Sequence, residues 1–389
     1  MRYRLCDDTW DESEFSAIQQ VLASNMFSMG ERVAKYEKEF AAKFGIKYAL
    51  MTSSGSAANL LAVAGLVYSG RLAKGDEVIV PAVSWSTTYF PLYQMGLKLC
   101  FVDIDRDTLN IDTDRLAEAV TENTKMVCLV NLLGNPNDFD RIMEICGDRN
   151  IIIMEDNCES LGAEYHGKKT GTFGLVGTYS TFYSHHLCTM EGGMTVTDDE
   201  ELYHYMLCVR AHGWTRNLPK DSKIYRKREN DFYESFNFIV PGFNLRPLEI
   251  EGAAGSEQLK KMDNIIAQRR ENAEYFREKM SKFKDVRLQK ETGKSSWFGF
   301  AVILEGALKG HHDELVKNFA ENDIEVRPIV AGNFTRNSVI KYLEYTISGE
   351  LTASDDIHDN GFFIGNYSRN NSEEVDYFVE IFANILKNI

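Results

Sequence analysis

Two adjacent histidines, His185 and His186, stand in the polar turn of the stretch Thr181–Gly193, TFYSHHLCTMEGG. An unperturbed histidine has a pKa near about 6.5, so an imidazole in this turn can accept and donate protons near neutral pH. Neighbouring residues on an extended chain point to opposite faces, so the pair is not expected to chelate one metal ion. The stretch therefore indicates proton-transfer chemistry and no metal site; the alternative is a surface loop with two incidental histidines.

The residues around this turn are typical of strands. Tyr179–Ser184 is predicted to be one strand, and Met194–Thr197 a second. Gly192 and Gly193 lie between them and allow the backbone to turn sharply. The two histidines are thus expected to lie at a strand end.

A second stretch has the composition of a phosphate-binding turn. The apolar strand Lys47–Met51 leads into SSGSAAN at Ser53–Asn59, and an apolar helix follows to about Tyr68. This order presents free N–H groups and a helix dipole to an anion. Gly55 allows close approach and Ser56 adds a hydroxyl donor, although a plain serine N-cap would look similar.

Two further candidates follow predicted strands. Trp85 comes just after Glu77–Pro81, in the position where ligands collect in open α/β sheets, and an aromatic side chain there can stack on a flat ring. Asp156 directly follows the strand Ile151–Glu155. The alternatives are core packing for the tryptophan and capping of the next turn for the aspartate.

Composition limits the possible partners. The chain has 389 residues, 44% hydrophobic and 26% charged, which is ordinary for a soluble globular protein of two cores. Its net charge of −15 argues against nucleic acid or an anionic membrane surface as a general partner. No apolar core of signal-peptide length and no run of about 18 apolar residues is present, which favours a cytoplasmic location.

The cysteines support the same location. None of the seven lies in C-x-C or C-x-x-C spacing, which indicates reduced thiols. An iron–sulfur cluster needs grouped cysteine ligands, so radical chemistry through such a cluster is not expected.

Short apolar strands alternate with helices, which predicts an α/β fold with a largely parallel sheet. Further predicted strands are Lys98–Val102 and Lys125–Asn131. A long helix, Lys260–Phe283, is expected to lead to a smaller C-terminal α+β domain. We therefore predict a large cofactor-binding domain at 1–259 and a smaller domain at 260–389, with strands at Trp297–Leu304 and Glu325–Val330.

Four motifs occur in the order typical of one family. They are SSGSAAN, then E-D-x-x-E-x-x-G-A from Glu155, then the Ser180–Gly193 loop, then GFNLRPLE at Gly242–Glu249. Together they resemble the DegT/DnrJ/EryC/StrS sugar aminotransferases over almost the whole chain, with a departure at Gly252, where the family has alanine. The resemblance implies a homodimer of fold-type I subunits (the aspartate aminotransferase-like fold), pyridoxal phosphate (PLP) chemistry and L-glutamate as amino donor.

The resemblance also implies roles for single residues. Asp156 would lie against the pyridine nitrogen and Glu159 near the ring oxygen, while Asn244 and Arg246 would reach into the site of a neighbouring subunit. Arg216, in the polar turn after His212, is a plausible anion anchor. The predicted set is His185 as the catalytic residue; Gly55, Ser56, Trp85, Asp156, Glu159, Ser180 and Asn244 for the cofactor; and His212, Arg216 and Arg246 for the substrate.

At one position the chain departs from the family in a way that changes the chemistry. His185 stands where the family has the lysine that links covalently to PLP, and no lysine occurs between Lys169 and Lys220. An imidazole cannot form that link. The cofactor is therefore expected to be held non-covalently and to work as pyridoxamine phosphate (PMP), whose own amine condenses with a substrate ketone.

Histidine at this position, in the string FYSHHLCTMEGG, resembles the branch that acts in colitose biosynthesis. The resemblance implies loss of the C3 hydroxyl from GDP-4-keto-6-deoxy-D-mannose, with glutamate regenerating PMP. Three alternatives stay open: a sugar 4-aminotransferase that manages without the lysine, a 3-dehydratase of a CDP-hexose, and a cofactor-binding regulator without turnover.

Overall fold

Helices and strands alternate through most of the chain. The computed structural model describes residues 2–387. Its helices are α1 Glu12–Ser24, α2 Glu31–Phe44, α3 Gly55–Tyr68, α4 Ser86–Gln94, α5 Thr113–Ala119, α6 Phe139–Cys146, α7 Glu200–Arg210, α8 Asp231–Glu234, α9 Glu249–Met280, α10 His312–Glu321, α11 Thr352–Asn360 and α12 Ser372–Ile385. Its strands are β1 Tyr48–Thr52, β2 Glu77–Pro81, β3 Lys98–Val102, β4 Thr124–Val130, β5 Ile152–Asp156, β6 Glu164–Tyr165, β7 Lys168–Lys169, β8 Val176–Ser180, β9 Gly193–Thr197, β10 Val286–Leu288, β11 Gly299–Leu304, β12 Val326–Pro328, β13 Tyr345–Ile347 and β14 Gly361–Gly365.

The main sheet has eight strands in the order β1-β9-β8-β5-β4-β2-β3-β13. The six strands from β8 to β13 run parallel to one another, and β9 is antiparallel to both β8 and β1. Helices cover both faces, and the apolar helix α3 is buried between the sheet and α7. This confirms the predicted largely parallel α/β sheet, whose parallel strands place their carboxyl ends along one edge.

The C-terminal part forms a second, antiparallel sheet of four strands, β10-β11-β14-β12. Its core contains Phe276 of α9, Phe319 of α10 and Phe378 of α12. Chain segments cross between the two parts, since β13 pairs with β3 of the main sheet and Tyr3 pairs with Ile324. A smaller α+β unit is thus present, and the division between 259 and 260 stays a prediction because it falls inside α9.

The predicted start of the long helix at Lys260 is wrong, because α9 begins eleven residues earlier, at Glu249. The extra turns contain Gly252 and Gly255, which lie directly against α2. A Cβ at Gly252 would come within 2.7 Å of the Val33 backbone, and one at Gly255 within 2.6 Å of the Tyr36 ring. These glycines therefore permit close helix packing and do not end the helix.

The strand before the histidines lies earlier in the chain than predicted, at Val176–Ser180 instead of Tyr179–Ser184. β8 ends at Ser180, where it pairs with Gly193 of β9, and residues 181–192 form a loop. The Thr181 N–H donates to the Gly192 carbonyl (2.9 Å) and closes this loop at its base. The histidines consequently lie in a loop, several residues beyond the strand end.

No described helix has the length and apolar character needed to cross a membrane. All seven cysteines are unpaired.

Candidate active site

A cavity of about 1180 Å³ opens at the carboxyl ends of β2, β5 and β8 and extends towards the C-terminal part. Its lining residues lie up to 372 positions apart in the sequence, from Arg2 to Glu374. Seven of the eleven predicted site residues line it: Gly55, Ser56, Trp85, Asp156, Glu159, Ser180 and His185.

The phosphate-binding turn is built at the start of α3. Ser54 is the N-cap, and its hydroxyl accepts from the Ala57 N–H at 3.1 Å. Gly55 has no room for a side chain, because a Cβ there would lie 2.6 Å from Ser180 Cβ and 2.9 Å from Cys158 Sγ. The helix N-terminus and its free N–H groups therefore face the cavity, which suits an anion.

Asp156 ends β5 with its carboxylate fixed by three donors. Oδ2 accepts from Asn59 Nδ2 at 2.8 Å and from Thr88 Oγ1 at 2.7 Å, and Oδ1 accepts from the Cys158 N–H at 3.1 Å. The side chain is buried at the cavity wall. These contacts hold the carboxylate in one orientation, as the partner of a ligand nitrogen must be held.

Trp85 is the N-cap residue of α4 and is 58% exposed at the cavity wall. Its exposure excludes the core-packing alternative. A large exposed ring beside an anion site is suited to stacking on a planar ligand.

Glu159 lies one turn beyond Asp156, and its Oε2 accepts from the Leu133 N–H at 3.0 Å. Burial raises the pKa of Glu159 to about 7, and the nearby Asp156 charge also raises it. The carboxyl can therefore carry or release a proton near neutral pH, which makes it a suitable partner for a ring oxygen.

The loop 181–192 is held by bonds that do not involve the side chain of His185. Thr181 and Thr189 pair through their hydroxyls at 2.5 Å. Further along, the Cys188 N–H donates to Gln258 Oε1 at 3.0 Å and its carbonyl accepts from Trp10 Nε1 at 2.9 Å. The His185 side chain is left free to face the cavity.

The environment of His185 is apolar and carries a nearby positive charge. Burial, and after it the charge of Arg269, lowers the pKa of His185 to about 3. The Phe298 ring lies against the imidazole with centroids 5.0 Å apart, and Nδ1 is buried with no hydrogen-bond partner. His185 is therefore neutral at pH 7 and able to act as a base.

His186 points away from the cavity. It is fully buried, and its Nε2 donates to the Ser296 carbonyl at 3.1 Å. Burial lowers its pKa well below the ordinary value. The two histidines thus face different surroundings, and among the described residues no group of three His, Cys, Asp or Glu side chains could hold a metal.

These features fit a PLP-type cofactor that is not covalently bound. The turn at Gly55 would provide the phosphate site, Trp85 and Asp156 would provide the ring and nitrogen contacts, and Nδ1 of His185 is without a partner. None of the described cavity-lining residues is a lysine. The described lining residues thus offer no lysine amine for a covalent link, so the amine used there would be the cofactor's own.

Four predicted site residues do not line this cavity: His212, Asn244, Arg216 and Arg246. They lie together around Trp214, whose ring is 4.7 Å from the Arg216 guanidinium and 5.9 Å from that of Arg246. Arg246 Nε also donates to Asn244 Oδ1 at 2.9 Å. Their assignment to cofactor and substrate stays a prediction, which requires that they act in a second subunit.

Several contributors were missed by sequence reasoning. Asn59 and Thr88 orient Asp156, and both belong to stretches that had been singled out, SSGSAAN and AVSWSTTYF. Phe298, Arg327 and the segment 2–8 also line the cavity. Phe298 and Arg327 belong to stretches predicted only as strands of the smaller domain, and the packing of the C-terminal part on the main sheet brings all three to the site.

Comparisons with known proteins identify the family of the chain. The model of the DegT/DnrJ/EryC1/StrS aminotransferase family matches residues 8–383. The chain is 55% identical over 388 residues to the GDP-4-keto-6-deoxy-D-mannose 3-dehydratase of Escherichia coli O55:H7 (98% of this chain, 99% of the relative).

Two solved structures of such a dehydratase are equally similar. The E. coli enzyme with bound hydrated PLP has a TM-score of 0.95 at 55% identity, over 97% of this chain and 98% of that one. A GDP-4-keto-6-deoxymannose-3-dehydratase with a trapped PLP–glutamate geminal diamine also has a TM-score of 0.95 at 55% identity, over 97% and 99%. The fold-type I architecture is thereby confirmed.

Proposed function

We propose that this chain, which belongs to the DegT/DnrJ/EryC1/StrS aminotransferase family, is a PLP-dependent 3-dehydratase of GDP-4-keto-6-deoxy-D-mannose. The observation that carries the proposal is a neutral histidine, His185, in a cofactor cavity where no described lining residue is a lysine. An imidazole can move protons, but unlike a lysine amine it cannot hold the cofactor covalently. Loss of the C3 hydroxyl then supplies a 3-deoxy-4-keto sugar for colitose and O-antigen synthesis.

The amine form of the cofactor, when bound, supplies the nitrogen that condenses with the C4 ketone and a ring that accepts electrons. The chain holds this group at three points. The α3 N-terminus with Ser56 binds the phosphate, Trp85 covers the ring, and Asp156 opposes the ring nitrogen. Each of these residues lines the cavity.

His185 performs the proton transfers. Its imidazole is neutral because burial and Arg269 depress its pKa, so the basic form is already present at pH 7. Once the ring has taken up a proton, it can pass that proton to the departing C3 hydroxyl. One residue thus serves first as base and then as acid, and the same exchange serves the regeneration by L-glutamate.

Ammonia release tests this function directly. The purified enzyme, loaded with PMP and given GDP-4-keto-6-deoxy-D-mannose, should release one ammonia for each 3-deoxy sugar formed. Nitrogen retained on the sugar would identify an aminotransferase instead, and no turnover would leave a regulator. The CDP-linked sugar, assayed in parallel, decides between the two nucleotides.

The active enzyme is a homodimer with shared sites in this proposal. Supporting it, the surface around Trp214 continues into exposed aromatic residues, with Phe236 64% and Phe238 51% exposed. Such apolar surface is typical of an interface. A cytoplasmic location is likewise proposed, and the unpaired cysteines are in keeping with it.

Mixed dimers test the shared site. Co-expressed His185→Asn and Arg246→Ala chains, each inactive alone, should regain activity, because one site of the mixed dimer then has both residues intact. Random pairing predicts about a quarter of the wild-type activity, since about half the dimers are mixed and each has one intact site. If Arg246 serves its own subunit, both sites of the mixed dimer are damaged and no activity returns.

A further inference from the structure

The His185 imidazole has no polar group to orient it. Among the described residues its ring makes no side-chain hydrogen bond, and Nδ1 is buried without a partner. In Ser–His–Asp sites a carboxylate bond fixes the orientation of the imidazole. Here the Phe298 ring, 5.0 Å away at an interplanar angle of 63°, bounds the imidazole instead. The orientation of His185 therefore depends on how Phe298 is held.

Side chains from other elements hold the backbone of residues 296–298. The Ser296 carbonyl accepts from His186, and the Trp297 carbonyl accepts from Asn366 Nδ2 at 2.9 Å. Arg269 Nη1 donates to that carbonyl (3.3 Å) and to the carbonyl of Phe298 (3.2 Å). Trp297 has a φ of +48°. This is a left-handed conformation, which a bulky residue adopts only where its surroundings impose it.

Burial of Arg269 at this position is energetically unfavourable. It is 1% exposed, and no carboxylate of the described residues lies within ion-pair distance of its guanidinium. Its Nε has no partner, and burial lowers its pKa to about 10. The charge of Asp7 acts on the guanidinium from beyond ion-pair distance, and a buried cation without a carboxylate in direct contact destabilises a fold. Its position on α9, against the segment that packs on the cofactor loop, indicates a role beyond packing.

We propose that Arg269 is a positioning residue for His185: by holding the 297–298 carbonyls it fixes the Phe298 ring, and the ring fixes the imidazole. This inference rests on the proposed catalytic role of His185. Arg269 also contributes a positive charge that helps keep the imidazole neutral. Both effects act on His185, the first through the contact with Phe298 and the second through the electrostatic field of the guanidinium.

Arg270 provides a matched control. It is the next residue of α9 and also donates to carbonyls, those of Ser295 (2.9 Å) and Gly162 (3.3 Å). Its contacts end one residue before the segment that carries Phe298. Arg270→Met therefore removes an arginine and its carbonyl bonds without releasing the ring.

The first experiment is a double-mutant cycle on the glutamate half-reaction. Arg269→Met and Phe298→Leu should each lower its rate constant roughly 10–100-fold with glutamate and PLP affinities within about threefold, since a misplaced group can cost this much. The double variant should be no slower than the slower single variant, because both changes release the same ring. Arg270→Met should stay within about twofold of wild type. Additive effects, or an equal loss in Arg270→Met, would overturn the proposal.

The second readout does not depend on activity. In the cofactor-free protein, the His185 Cε1–H NMR signal, assigned by its absence in His185→Asn, should shift in Arg269→Met in the same direction as in Phe298→Leu. An unmoved signal would refute the coupling even if activity falls. If Arg269→Met does not fold, Arg269→Lys, which keeps the charge and loses the two-carbonyl contact, replaces it in both measurements. A wild-type enzyme that releases no ammonia would instead refute the proposed function and leave this comparison intact.

Discussion

The two adjacent histidines should respond to the same substitution in opposite ways. His185→Asn removes a proton-exchanging ring that makes no side-chain hydrogen bond. Both half-reactions should slow by at least roughly 10²-fold, the range general acid–base catalysis contributes, or about 2.7 kcal/mol in barrier height. Its stability should change little, because the lost contact is mainly the edge of Phe298, worth about 0.5–1.5 kcal/mol.

His186→Asn should have the reverse profile. The ring is fully buried and donates to the Ser296 carbonyl, so shortening it leaves a buried acceptor unsatisfied and a small void. An unsatisfied buried acceptor costs about 1–3 kcal/mol, which should appear as a lower melting temperature. Catalysis should fall far less than in His185→Asn, because the side chain does not reach the cavity and acts on His185 only through the segment that carries Phe298.

The measurements are the same for both variants. Ammonia release reports sugar dehydration, and 2-oxoglutarate formation reports the glutamate half-reaction. Calorimetry of the cofactor-free proteins reports stability, and PLP titration checks that both sites still bind. If His186→Asn is inactive with an unchanged melting temperature while His185→Asn turns over normally, the assignment of the loop is wrong by one residue.

Three further substitutions test other parts of the site and fold. Asp156→Asn should slow turnover roughly 10–10³-fold while PLP still binds, because an opposite charge moves a neighbouring pKa by one to three units; normal turnover would exclude Asp156 as the nitrogen partner. Gly55→Ala should weaken PLP binding and lower stability by about 1–3 kcal/mol, because its Cβ would meet Ser180 and Cys158, and an unchanged PLP titration would contradict the close approach. Burial, and after it the charge of Glu191, raises the pKa of Glu251 from 4.5 to about 7. The stability that protonated Glu251 provides is complete below the pKa of the unfolded chain and is lost as pH rises through about 7. In urea unfolding, the free energy of unfolding of Glu251→Gln should therefore exceed that of wild type by about 1–3 kcal/mol at pH 8 and equal it near pH 4.5. A difference that does not change with pH would argue against the pKa shift.

The elements that sequence predicted best are those whose signal is local. Glu77–Pro81 and Lys98–Val102 have the predicted bounds, because each is a short apolar run that ends at a polar turn. Residues at or just beyond strand ends, such as Asp156 and Trp85, reach the cavity for the same reason. Parallel strands bring their carboxyl ends to one edge, so position after a strand is itself a signal.

The elements that were missed depend on distant partners. β13 has three residues, and it is a strand because it pairs with β3, some 245 positions earlier. Arg269 and Phe298 lie far from His185 in the sequence, and they meet it only where α9 and the C-terminal part pack on the cofactor loop. Burial of a charge without an ion partner has no sequence pattern, so no reading of Arg269 alone could have found it.

The structure also explains how a histidine can occupy this position without loss of the fold. The loop 181–192 is closed by Thr181 and Thr189 and attached to the rest of the protein through Cys188 and His186. None of these bonds uses the side chain at 185, which contacts only rings and open cavity. The loop therefore keeps its shape for either a lysine or a histidine, and the side chain at this one position decides whether the cofactor is held covalently. Because a neutral imidazole can still exchange protons, the change removes the amine and retains the base.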